Sequence, residues 1–100
     1  MNTPPTKDQL TVCITGAAGQ IAYSFIPQLL KGNAFGTRKI NLKLLDIAPA
    51  LNALKGVVME IKDCAFPLCN SIVYGDNANE MFKDADVIVF FGGFPRKKGM

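Results

Sequence analysis

The sequence predicts an α/β fold, a parallel sheet with crossover helices. Two observations carry this. Short apolar, β-branched runs ("LTVCIT", "INLKLL", "DVIVFF") alternate with longer amphipathic stretches, giving a β-α-β-α-β-α-β order. Small residues and glycine directly follow the first run, as they do where a strand turns sharply into a helix.

Each element has its own signal. Residues 10–15 are apolar and end at Gly16, which marks a buried strand. Residues 20–30 carry Ile21, Phe25, Ile26, Leu29 and Leu30 at helical spacing. Pro27 lies inside that stretch and removes a helical hydrogen bond, so a kink or one-turn irregularity is expected. Gly32 and Asn33 supply the stop. Residues 40–45 form a second strand ending at Asp46. Residues 51–64 form a second helix with Leu54, Val57, Val58 and Ile61 on one face, ended by Pro67. Residues 71–75 give a weak third strand, 79–84 a short helix or turn, and 86–91 the strongest strand of the chain. Right-handed crossovers place the strands in the order 3-2-1-4.

Composition narrows the function. A hydrophobic fraction of 49% is that of a globular protein. The net charge of +3 is mild, and the eleven basic residues are scattered except near the C-terminal end, so neither nucleic acid nor a membrane is an expected partner. The longest apolar run, residues 87–91, is too short to cross a bilayer. The first ten residues, "MNTPPTKDQL", have neither a signal peptide's apolar core nor a transit peptide's arginines, so nothing in them points away from the cytoplasm. Cys13, Cys64 and Cys69 form no CxxC pair and read as reduced structural thiols. There is no histidine, so the commonest metal ligand and the commonest general base are both missing, and no metal site is expected.

The stretch "ITGAAGQIA" contains no acid, base or nucleophile. Its value lies in its backbone. Small side chains let N–H groups approach a ligand, and the unsatisfied donors of a helix's first turn favour an anion, here a phosphate. Gly16-Ala17-Ala18-Gly19-Gln20-Ile21-Ala22 is a G-x-x-G-x-x-A variant of the dinucleotide-binding pattern. Alone it also fits an ordinary tight strand-to-helix turn. Asp46, at the end of the second strand, stands where a carboxylate would accept both adenosine ribose hydroxyls and repel a 2′-phosphate, favouring NAD over NADP. Capping the following turn is its plainer role. Gly92 and Gly93 follow the last strand and again bring backbone close to a ligand. The loop beyond them, with Arg96, Lys97 and Lys98, would overhang the site with positive charge suited to an anionic substrate, although Lys97 and Lys98 read more simply as solvated.

Three segments together, "TGAAGQIAY", "LLDIAPALNALKGVVMEIKDCAFPL" and "GGFPRKKGM", resemble the N-terminal part of the cytosolic-type malate dehydrogenase family. The resemblance runs over residues 12–100. It implies an incomplete Rossmann-like domain and an NAD-dependent oxidoreductase acting on malate and oxaloacetate in the tricarboxylic acid cycle. It also implies a cytoplasmic homodimer, with residues 51–64 near the dimer interface. On this resemblance Gly16, Ala17, Ala18, Gly19, Gln20, Ile21 and Ala22 would hold the NAD diphosphate and Asp46 the adenosine ribose. Gly92 and Gly93 would lie against the nicotinamide side, and Arg96 would pair with the substrate carboxylate remote from the reacting carbon. In lactate dehydrogenases a neutral residue would replace that arginine.

The family's proton-transferring histidine–aspartate pair and its other substrate arginines fall beyond Met100, so no catalytic residue is expected among residues 1–100, and this segment alone is expected to be inactive. The ending "GGFPRKKGM", with no capping element after it, likewise reads as part of a longer protein, the catalytic domain being absent. Two other readings share the first motifs. An extended short-chain dehydrogenase or epimerase would carry a downstream Tyr-x-x-x-Lys pair and would not be expected to carry "GGFPRKKGM". A non-catalytic NAD-sensing module would lack the substrate loop.

Overall fold

The computed structural model describes residues 9–91. Its elements are β1 (Gln9–Thr15), α1 (Gln20–Leu30), β2 (Lys39–Leu45), a 3-10 turn (Ala48–Ala50), α2 (Leu51–Cys64), β3 (Cys69–Gly75), α3 (Ala78–Phe82) and β4 (Val87–Phe90). The four strands form one sheet in the order β3-β2-β1-β4, and every pairing is parallel. This is the expected Rossmann-like order.

Strand alternation explains where the core lies. Leu10, Val12 and Ile14 of β1 share one face with Ile40, Leu42 and Leu44 of β2, and all are buried. Ala22, Ile26, Leu29 and Leu30 of α1 and Leu54, Val58 and Ile61 of α2 complete that core. The opposite face carries a smaller cluster, Cys13, Leu45 and Met81, with Phe82 and Ala85 packed against it. Lys43, on this face, donates from Nζ to the Lys83 carbonyl at 2.6 Å and the Glu80 carbonyl at 3.4 Å. A cation at these last carbonyls suits the negative end of α3.

Four expectations change in detail. Ile21 is 64% exposed, because the buried stripe of α1 starts at Ala22 and runs through Ile26, Leu29 and Leu30 at helical spacing. α1 continues through Pro27 as one element; the Pro27 carbonyl accepts the Lys31 N–H at 3.0 Å. β3 begins at Cys69 rather than 71, since Cys69 pairs with Ile40 ahead of a register shift. α3 begins at Ala78 rather than 79, because the Asn77 side chain accepts the Glu80 N–H at 3.1 Å and caps it.

Both long helices end in left-handed backbone. Gly32 has φ +95°, with its N–H bonded to the Leu29 carbonyl and the Asn33 N–H bonded to the Gln28 carbonyl. These are the paired bonds of a Schellman stop, which glycine permits without strain. α2 stops at Ala65, φ 52°, two residues before Pro67.

Candidate functional site: the carboxyl ends of β1 and β2

In an open parallel sheet, ligands bind beyond the carboxyl ends of the strands, where the connections diverge to either side. Here that point lies between β1 and β4. β1 passes into the glycine turn, β2 into Asp46, and β4 leads towards Gly92. Gly92, Gly93 and Arg96 lie outside the described residues.

Gly16 has φ +69°, a left-handed conformation that reverses the chain at the end of β1. The next three amides are all engaged inside the protein. Ala17 N–H donates to the Leu45 carbonyl at 3.2 Å, and Gly19 N–H to the Gly16 carbonyl at 3.0 Å. Ala18 N–H donates to Oδ2 of Asp46 at 2.8 Å. Gly19 is the N-cap of α1 and provides no side-chain cap. The first-turn amides of Gln20, Ile21 and Ala22 have no such protein acceptor among the described residues, as helix geometry requires. A Cβ on Gly19 would come within 3.3 Å of the Gly16 carbonyl oxygen, so the turn has no room to spare.

The geometry therefore divides a motif that looks uniform in sequence. Gly16, Ala17, Ala18 and Gly19 shape the turn. Gln20 and Ile21 present the exposed unused donors. Ala22 is fully buried and packs under the helix start. Asp46 sits at the junction, and its second oxygen, Oδ1, accepts the Ile47 N–H at 2.8 Å.

β4 is tied to the same region. Phe91 N–H donates to the Thr15 carbonyl at 3.1 Å, and its ring meets Phe25 of α1 edge-on, with centroids 5.2 Å apart. At the other end of the strand, Asp86 N–H bonds to the Thr11 carbonyl at 2.7 Å while the Asp86 carboxylate accepts the Thr11 N–H at 2.8 Å. β4 is thus anchored to β1 at both of its ends.

Sequence reasoning passed over one group here. The Thr15 hydroxyl is buried and has no hydrogen-bond partner among the described residues. Nothing in "ITGAAG" distinguishes a satisfied threonine from this one, because the difference lies in what surrounds it. Among the described residues, no cluster of three histidine, cysteine, aspartate or glutamate side chains is placed to hold a metal, and no helix is long and apolar enough to cross a membrane.

Residues 10–100 match the lactate/malate dehydrogenase NAD-binding domain, and the chain belongs to that family. It is 45% identical to the cytoplasmic malate dehydrogenase of Gallus gallus over 94 residues, covering 93% of this chain and 28% of that protein. Among solved structures, malate dehydrogenase from Naegleria fowleri is 40% identical with a TM-score of 0.84, covering 92% of this chain and 28% of the other. Lactate dehydrogenase from Trichomonas vaginalis, solved with NADH and oxamate, is 41% identical with a TM-score of 0.81, covering 91% of this chain and 28% of the other. The chain thus spans under a third of the length of these relatives. Its family binds NAD, and membership in it favours the dehydrogenase reading over an epimerase or an isolated sensing module.

The residues present fit that cofactor. An anion can meet the Gln20 and Ile21 amides without displacing a protein bond, and a carboxylate stands beside the turn.

Proposed function

We propose that this chain is the N-terminal part of an NAD-dependent malate dehydrogenase, holding the adenosine and diphosphate end of the cofactor and ending in the substrate loop. The observation that carries the reading is the juxtaposition of the unused Gln20 and Ile21 amides with the Asp46 carboxylate, which accepts from the neighbouring Ala18 amide at 2.8 Å. Amides and the α1 dipole hold the diphosphate. Asp46 accepts from the ribose hydroxyls. On the family resemblance, Gly92 and Gly93 are assigned to the nicotinamide side. NADH, when bound, supplies the hydride.

Substrate choice falls to Arg96. Oxaloacetate has a second carboxylate where pyruvate has a methyl group. An arginine in a water-poor site pairs that carboxylate through two parallel N–H···O bonds and is left unpaired by pyruvate. Relatives of both specificities match this chain almost equally well, at 40% and 41% identity, so overall similarity does not decide the substrate. A guanidinium at position 96 favours the dicarboxylate. The proton-transfer residues lie beyond residue 100 in this reading.

The working unit is a cytoplasmic homodimer that interconverts malate and oxaloacetate within the tricarboxylic acid cycle. Support for the compartment is the name of the Gallus gallus relative. Support for the dimer is an apolar groove between α1 and α2, lined by Tyr23, Ile26, Pro27 and Val57, with Met59 57% exposed on α2.

The test is steady-state kinetics on the full-length protein with oxaloacetate and pyruvate at saturating NADH. Arg96→Gln is expected to lower kcat/KM for oxaloacetate by roughly two to four orders of magnitude, because leaving one charge of a desolvated ion pair without its partner costs about 3–5 kcal/mol. NADH binding should be spared. An oxaloacetate-to-pyruvate ratio within a few-fold of wild type would remove the dicarboxylate assignment.

A further inference from the structure

The glycine turn has almost nothing of its own to hold it. From Gly16 to Gly19 the side chains are hydrogen atoms and methyl groups. Its shape rests on hydrogen bonds from the Ala17, Ala18 and Gly19 amides. Two of these go to neutral carbonyls. The Ala18 bond goes to a carboxylate, is the shortest at 2.8 Å, and is partly buried. Charge-assisted bonds are about twice as strong as neutral ones. The carboxylate is itself oriented, because Oδ1 takes the Ile47 amide.

We propose that Asp46 is a positioning residue for the diphosphate end of the site as well as an acceptor for the ribose. Its carboxylate staples the glycine turn to the end of β2 and so aims the Gln20 and Ile21 amides. The inference deepens the NAD reading given above and rests on it for the ligand, but the staple itself stands on the two bonds to Asp46. An ionised carboxylate offers about four acceptor directions. Two are used by Ala18 and Ile47, which leaves capacity for the ribose hydroxyls. Staple and ribose contact therefore coexist on one side chain, and the two halves of the nucleotide site are coupled through it.

This bears on cofactor selectivity. A neutral residue at position 46 removes the charge that repels a 2′-phosphate, but it also loosens the turn that grips the diphosphate. NADPH affinity should therefore rise by less than the loss of repulsion alone would give.

A thermodynamic cycle tests the inference in the full-length protein. The ligands are NADH and an NADH analogue lacking both adenosine ribose hydroxyls; the variant is Asp46→Ala. If Asp46 acts only on the ribose, the variant binds the analogue as tightly as wild type does. The staple predicts that it binds the analogue about tenfold or more weakly, as loss of a hydrogen bond to a charged group implies. It also predicts faster hydrogen exchange at the Ala18 amide of the cofactor-free variant. Unchanged analogue affinity, or unchanged Ala18 exchange, overturns the proposal. Should Asp46→Ala not fold, Asp46→Asn, which keeps one oxygen acceptor, is measured the same way and should fall between the two. If wild type binds neither ligand, the NAD reading fails, while Ala18 exchange still decides the staple.

Discussion

Gly16 and Gly19 look equivalent in the sequence, three residues apart in one motif, yet alanine at each should fail in a different way. Gly16 has φ +69°, where a Cβ crowds the following carbonyl. Gly16→Ala should cost about 1–2 kcal/mol of folding stability, a factor of roughly 5–30 in the folded-to-unfolded ratio. Gly19 has φ −82° and ψ 167°, ordinary extended backbone. Its new methyl would meet the Gly16 carbonyl oxygen at 3.3 Å, so the turn must yield by a few tenths of an ångström. The lower entropy of the unfolded alanine chain offsets part of this, and stability should change by less than about 1 kcal/mol. Ligand binding should respond differently. The displaced carbonyl belongs to the turn that sets the direction of the Gln20 and Ile21 amides, so Gly19→Ala should weaken NADH binding by about tenfold or more. Urea denaturation and fluorescence titration with NADH measure the two effects separately. A neutral Gly16→Ala, or a Gly19→Ala that binds NADH like wild type, would refute this division of roles.

Two further predictions follow from buried groups. Thr15→Val keeps the shape and the β-branching while deleting a buried hydroxyl that has no partner among the described residues, so stability should rise by about 1 kcal/mol or more; a fall in the denaturation midpoint would mean that the hydroxyl is bonded. Burial pushes the Cys13 thiol up, opposed by the nearby Lys43 charge, and burial pushes Cys69 up against Lys62. Alkylation at mildly alkaline pH should therefore reach exposed Cys64 first, Cys69 next and Cys13 only as the protein unfolds. A thiol raised in the folded state stabilises fully below its unfolded value, about 8.5, and that contribution is lost as pH climbs through the folded value. Cys13→Ala should accordingly flatten the alkaline fall in stability, and rapid alkylation of Cys13 in the folded protein would contradict its burial.

How much was legible depended on whether a signal is local. The sheet and its order follow from runs such as Leu10, Val12 and Ile14, whose alternation is written along the chain. The bounds of α1 are legible, but the outward orientation of Ile21 is not, because hydrophobicity says that a residue is apolar and not which way it points. The start of β3 was missed because its pairing with Ile40 depends on a register shift set by the neighbouring strand. At the site, glycine spacing marked the turn and an acid after β2 marked Asp46. The bond between them joins residues 28 apart, and only the packing of β1 beside β2 brings them together. The same holds for the Thr15 hydroxyl, whose isolation is a property of its neighbours.

The central claim is that NAD is held at the glycine turn by the Gln20 and Ile21 amides and by Asp46. Amide hydrogen exchange of the full-length protein, with and without saturating NADH, tests it most directly. The account predicts that NADH slows exchange at Gln20 and Ile21 more than anywhere else in residues 9–91, with a smaller slowing at Ile47 beside the Asp46 carboxylate. Saturation with NADH that leaves exchange at Gln20 and Ile21 unchanged would contradict it.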